Sequence, residues 1–124
     1  IKFFYYFSLT GLFILYLFPG SLIGYLLYED FGKQPDFIPN PIGTSINHAL
    51  AFFYLSILGL ISYLRDKSFN QATTFLISLS IILELSHYFI PNRSFQFLDL
   101  FGNLLGTLLA ILIIAFYKKY KKIL

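Results

Sequence analysis

The sequence predicts an all-α polytopic membrane protein, a bundle of four transmembrane helices with both termini in the cytoplasm. Apolar residues make up 57% of the 124 residues and charged residues only 12%, and the mean hydropathy is +0.72. Soluble domains carry about 25% charged residues, and a small soluble fold could not bury this much apolar surface. Four apolar stretches, each close to the length of a membrane span, give the number of helices.

The composition also excludes other classes of protein. Disordered chains are poor in apolar and aromatic residues, and the absence of cysteine excludes a disulfide scaffold or a cysteine metal site. The net charge of +3 is too small and too localised for a nucleic-acid binder. Membrane β-barrels need alternating strands, and a run such as Leu108–Ile114 does not alternate.

The four spans follow from helix length, because about 20 residues rising 1.5 Å each cross about 30 Å of hydrocarbon. The first is predicted over residues 3–18, where Pro19-Gly20 ends it, or with a kink there to residue 28. The others are predicted over residues 46–64, 71–90 and 98–117, so residues 1–124 form one transmembrane domain. No Ala-x-Ala cleavage site follows the first stretch, and we expect a retained span rather than a signal peptide.

The charges predict the orientation, since cytoplasmic loops collect Lys and Arg. Four spans place both termini on one side, together with the basic residues Lys2, Arg65, Lys67, Lys118, Lys119, Lys121 and Lys122. The other side holds the basic Lys33 and Arg93 and the acidic Glu29, Asp30 and Asp36. The basic tail is a topological anchor or, alternatively, a binding site for anionic lipid headgroups.

Few ionisable residues lie within the spans, and such residues are functional candidates because they are costly to insert. They are His48, Glu84, His87 and Asp99, with Asn103 as a polar neighbour. The predicted spans place them about 3, 9, 4.5, 1.5 and 7.5 Å below the outer ends of their helices. Arg93 follows in the turn between the third and fourth spans. We therefore expect one polar cluster in the outer part of the membrane.

The helical faces support this cluster. Four residues of the third span share one face, namely Thr73, Ser80, Glu84 and His87. A matching stripe on the fourth span consists of Asp99, Asn103, Gly106 and Ala110. A short turn joins these spans, so we expect an antiparallel hairpin with the two stripes facing, and Gly102-x-x-x-Gly106 permits a close helix contact.

The same residues resemble the signature of the VanZ-like family, a Glu-x-x-Gln, a Pro-x-Arg turn and an Asp-x-x-x-Asn-x-x-Gly. The matching segments are Glu84 to His87, Pro91 to Arg93 and Asp99 to Gly106, with His48-Ala49-Leu50-Ala51-Phe52 and Leu17-Phe18-Pro19-Gly20 upstream. Two positions depart from the pattern. His87 stands where the family has Gln, and Thr44-Ser45 stand where it often has Asp-Lys.

The resemblance implies a small four-helix protein of the bacterial cytoplasmic (inner) membrane. It also implies a part in the cell envelope, since the family's founding association is with low-level resistance to glycopeptide antibiotics of the teicoplanin type. The resemblance implies a fold and a location but no particular reaction.

Three functions and one structural explanation stay open at this point. The first is a lipid- or partner-binding envelope module with Arg93, Asn103 and His48 as binding residues. The second is a membrane-embedded enzyme with Glu84, His87 and Asp99 as acid–base groups, or with His48, Glu84, His87 and Asp99 as zinc or manganese ligands. The third is an accessory subunit of a larger membrane complex. Alternatively, these polar groups have only a structural role, in which they pair with one another and fix the register of the helices. The sequence specifies no cofactor, and the expected partners are membrane lipids and other membrane subunits, not nucleic acid.

Overall fold

The computed structural model describes residues 1–17, 26, 29, 42–90 and 95–122, and most of their backbone is helical. The four helices are α1 (Lys2–Leu17), α2 (Ile42–Ser62), α3 (Phe69–Leu85) and α4 (Phe97–Lys121), and a 3-10 turn (Ser86–Tyr88) follows α3. The predicted all-α class with four helices is therefore confirmed. No strand occurs within the described ranges.

The helix ends differ from the predicted spans by a few residues. α2 begins at Ile42, before the predicted start at 46, and the last turn of the third span narrows to the 3-10 turn. α4 continues to Lys121 because lysine is a good helix former and a basic last turn suits the helix dipole. Pro19, Gly20 and, apart from Leu26, the segment to residue 28 lie outside the described residues.

Two of the helical stretches, Phe69–Tyr88 and Phe97–Lys121, are long and apolar enough to cross a membrane. Lys2–Leu17 and Ile46–Ser62 are apolar but shorter. Large apolar side chains cover much of the outside of the bundle, among them Phe3, Phe7, Phe101 and Phe116. Such an exterior suits an apolar solvent rather than water.

α4 packs most extensively against α2. Its buried face repeats every three or four residues and consists of Asp99, Gly102, Asn103, Gly106, Thr107, Ala110 and Ile114. A Cβ atom on Gly106 would clash with the carbonyl oxygen of Ala49 and would lie 2.9 Å from the amide nitrogen of Phe53. Gly106 therefore allows the backbones of α2 and α4 to touch.

The predicted pairing of α3 with α4 is present, since Asn103 of α4 contacts Ser80 of α3. The close contact of the Gly-x-x-x-Gly stripe, however, is made through Gly106 with α2 rather than with α3. The short connection between α3 and α4 keeps these two helices adjacent. Gly106 faces α2 instead, and because it has no side chain the backbone of α2 can approach α4 closely.

The opposite end of the bundle is tied together by aromatic and charged residues. The ring of Tyr5 lies so close to Gly59 that a Cβ there would be 2.7 Å from its Cε1 atom. The hydroxyl groups of Tyr6 and Tyr63 are hydrogen-bonded, and Lys2 pairs with Asp66 at 3.7 Å. The backbone N–H of Ser68 donates to Asp66, and this bond, aided by Lys2, holds the pKa of that carboxyl below its ordinary value.

Replacing Gly106 with alanine is expected to destabilise the protein by about 1–3 kcal/mol, because the new methyl group must push α4 away from the backbone of α2. The matched control is Gly11→Ala in α1, where a Cβ meets nothing within 4 Å. There the better helix propensity of alanine makes the change neutral or stabilising. Thermal unfolding of the purified variants in detergent measures both effects. A Gly106→Ala protein that melts at the same temperature as the unmodified chain would contradict the close packing.

Candidate functional site

Six buried polar side chains meet at the end of the bundle where α1 and α3 finish and α2 and α4 begin. We call them the polar cluster: Tyr16, His48, Glu84, His87, Asp99 and Asn103. None is more than 9% exposed. The sequence predicted five of them, and the structure brings those five together. Arg93, the sixth predicted residue, lies outside the described residues.

Tyr16 is the member that sequence reasoning missed, and it lies at the centre of the polar cluster. Its hydroxyl is 2.8 Å from Nδ1 of His48 and donates to Oδ1 of Asn103, also at 2.8 Å. Its ring stacks on that of His87 with the centroids 5.2 Å apart. One signal was available, because Tyr5, Leu12 and Tyr16 recur at helical spacing along α1 and bury one face. A tyrosine near a helix end also suits an ordinary interfacial anchor.

The hydrogen bonds around Tyr16 run in one direction. The carbonyl of Ser80 can only accept, so it receives the amide Nδ2–H of Asn103, at 3.1 Å. Oδ1 of Asn103 is then the acceptor for the hydroxyl of Tyr16, whose oxygen is left to accept from Nδ1–H of His48. A neutral His48 ring therefore carries its proton on Nδ1 and its lone pair on Nε2.

Glu84 and His87 satisfy backbone groups at the ends of two other helices. Oε1 of Glu84 accepts from the N–H of Gln96, the N-cap residue of α4, at 3.2 Å. Nε2 of His87 lies 3.2 Å from the carbonyl oxygen of Tyr16, one of the last carbonyls of α1, which lack a partner within the helix. The glutamine of the family pattern carries an amide N–H that could make the same contact.

The second oxygen of Glu84 has no hydrogen-bond partner within the described part of the chain, although it is fully buried. This Oε2 atom lies 3.7 Å from Nδ1 of His48, and Oε1 lies 3.5 Å from Nδ1 of His87. Removing a carboxylate oxygen from water without a hydrogen bond is costly. Oε1 of Glu84 is therefore engaged at the start of α4, whereas Oε2 is a buried acceptor without a hydrogen bond inside the described ranges.

Asp99 completes a compact group of possible ligands. It lies in the first turn of α4, where the helix dipole favours a negative charge. One ligand atom each from His48, Glu84 and Asp99 lies within 4.8 Å of the other two. Two carboxylates and an imidazole in this arrangement can hold a cation or exchange protons with a bound molecule.

Two predicted neighbours on α3 do not direct their hydroxyl groups into the polar cluster. The hydroxyl of Thr73 donates to the carbonyl of Phe69 at 3.0 Å, and that of Ser80 donates to the carbonyl of Ile77 at 2.6 Å. Both bonds stay within the helix, as is common for these residues. Ser80 contributes to the polar cluster only through its backbone carbonyl.

Removing the hydroxyl of Tyr16 (Tyr16→Phe) is expected to destabilise the protein by about 1–3 kcal/mol, because Oδ1 of Asn103 and Nδ1 of His48 lose a buried partner. The control is Tyr54→Phe, whose exposed hydroxyl lies 3.3 Å from the hydroxyl of Ser8 and should matter little. Thermal unfolding in detergent compares the two. A Tyr16→Phe protein as stable as the Tyr54→Phe protein would show that the hydrogen-bond chain contributes nothing.

Comparison with known proteins supports the resemblance found in the sequence. The profile of the family described as VanZ/LLP1 matches residues 25–118. The match includes every member of the polar cluster except Tyr16. No curated protein and no solved structure gives a significant match.

Proposed function

We propose that this chain, which belongs to the VanZ/LLP1 family, is a four-span protein of the bacterial cytoplasmic membrane and part of the cell envelope. In this proposal the polar cluster binds the headgroup of a membrane lipid or of a lipid-linked envelope molecule. The observation that carries the proposal is the buried Oε2 atom of Glu84, which has no hydrogen-bond partner among the residues that the structure describes.

Helix length and charge support the four-span topology. Two helical stretches are long and apolar enough to cross a membrane, and α1 and α2, which contain shorter apolar stretches, pack against them. The basic residues gather at the termini and in the turn between α2 and α3, which favours a cytoplasmic location for that end. The polar cluster then faces the outside.

The surroundings of the polar cluster support a lipid ligand. Four aromatic side chains at this end of the bundle are largely exposed, namely Tyr88, Phe89, Phe97 and Phe101. Aromatic residues concentrate where the hydrocarbon meets the headgroups. The polar cluster lies at the same end of the bundle, so in this proposal it lies at the level of the headgroups.

The topology can be tested with single cysteines, since the chain has none of its own. Lys33→Cys is expected to react with a membrane-impermeant maleimide in intact spheroplasts. Lys121→Cys should react only after the membrane is permeabilised, because the tail is cytoplasmic. Labelling of Lys121→Cys from outside, or of neither site before permeabilisation, would contradict the proposed orientation.

The binding role can be tested by measuring the lipids that remain on the purified protein. Glu84→Gln is expected to retain at least about fivefold less bound phospholipid or lipid-linked precursor than the unmodified chain, because the amide lacks the open anionic oxygen. Asp66→Asn is the control, since Asp66 is an exposed carboxylate at the opposite end of the bundle. Mass spectrometry of extracted lipids gives the amounts, and the teicoplanin susceptibility of cells expressing each variant gives the envelope phenotype.

Equal lipid retention by the unmodified chain, Glu84→Gln and Asp66→Asn would contradict the binding role. The same open oxygen also favours a second candidate, an enzyme in which Glu84 acts as a general base. The two candidates differ in one respect. An enzyme releases a chemically altered lipid over time, whereas a binding protein returns the lipid unchanged.

A further inference from the structure

We infer that His48, Glu84 and Asp99 together hold one divalent cation of the zinc or manganese class. The inference rests on the proposed function, because the cation would be the group that attracts an anionic headgroup. The three side chains come from α2, α3 and α4, so the site exists only when these helices are packed together.

The spacing of the three residues fits a single ion after a small adjustment. One ligand atom of each lies within 4.8 Å of the others. Two ligands that each bind zinc at about 2.0–2.2 Å in a tetrahedron are about 3.5 Å apart. A contraction of about 1 Å, within the range of side-chain rotation, therefore closes the site. His87 is outside this group of three, although the sequence admitted it as a ligand.

Glu84 supplies the independent indication that a ligand is needed. Its Oε1 atom is already engaged by the N–H of Gln96, whereas Oε2 is buried with no hydrogen-bond partner in the described ranges. A cation at Oε2 would satisfy this atom. It would also place a positive charge beside the buried carboxylate of Glu84, where the low dielectric constant strengthens the attraction.

The ligands also have the supporting contacts that protein metal sites require. A metal-binding histidine usually donates its other ring N–H to an acceptor that fixes the ring, and Tyr16 accepts from Nδ1 of His48 in this way. Glu84 is fixed by Gln96, and Asp99 by its place in the first turn of α4.

The number of ligands gives the cation a role in binding. Three protein ligands leave one coordination position open, as in catalytic rather than structural zinc sites. A phosphate oxygen of a lipid or lipid-linked molecule is an anionic ligand of the right kind for that position. The expected ligand class is therefore a phosphate-bearing headgroup, attracted by the ion.

The experiment measures metal binding by the full chain purified in detergent with a histidine-free tag. After treatment with a chelator, the protein is titrated with ZnCl₂ or MnCl₂, and bound metal is counted by plasma mass spectrometry. We expect about one ion per chain and a higher melting temperature on binding. Glu84→Gln and, separately, Asp99→Asn should bind at least about tenfold more weakly, whereas Asp66→Asn should bind as the unmodified chain does.

The metal-free melting temperature and the elution profile of each variant show whether it is folded, and the second variant keeps the test decisive if one fails to fold. The absence of saturable binding by the unmodified chain overturns the inference, as does equal binding by folded Glu84→Gln or Asp99→Asn. If lipid retention depends on Glu84 but no metal binds, the proposed function stands and the cation site does not. If metal binds but no lipid is retained, the cation site stands without the headgroup.

Discussion

Backbone groups at helix ends must find hydrogen-bond partners when the surroundings are apolar, and this constraint organises the end of the bundle that carries the polar cluster. In hydrocarbon no water is available to satisfy them. Glu84 receives the N–H of Gln96 at the start of α4, and His87 lies against the carbonyl of Tyr16 at the end of α1. One side chain near the end of α3 and one in the 3-10 turn that follows it therefore bind backbone groups at the ends of two other helices.

The packing of α2 against α4 and the construction of the polar cluster depend on each other. Ala49, whose carbonyl touches Gly106, is the residue after His48, and Asn103 lies one helical turn before Gly106. The height at which the two backbones touch therefore fixes the level of His48 relative to Asn103. Tyr16 can then bond to both at 2.8 Å.

Within the polar cluster, one oxygen of Glu84 differs from the other side-chain donors and acceptors of the described residues. The chain from His48 through Tyr16 and Asn103 to Ser80 uses its donors and acceptors in order, as a structural network does. Glu84 differs, because Oε1 accepts from the N-cap residue of α4, whereas the buried Oε2 has no hydrogen-bond partner among the described residues. A purely structural network is expected to pair every buried carboxylate oxygen, so this asymmetry among the described residues is the observation on which the proposed binding role rests.

Much of this protein follows from its sequence alone. The apolar composition and the four apolar stretches determine an all-helical fold, because helices satisfy their own backbone. Helical spacing places Glu84, His87, Asp99 and Asn103 at one end on inward faces. These are local properties of each helix, which the residue order expresses directly.

Only the tertiary structure decided which helices touch and which groups are paired. Gly106 meets α2 rather than α3, and Tyr16 joins the polar cluster although nothing near it in the sequence is charged. The sequence likewise does not show that the two oxygens of Glu84 have different surroundings. Such contacts join residues dozens of positions apart, and their geometry depends on how three helix surfaces fit together at once, which no local pattern encodes.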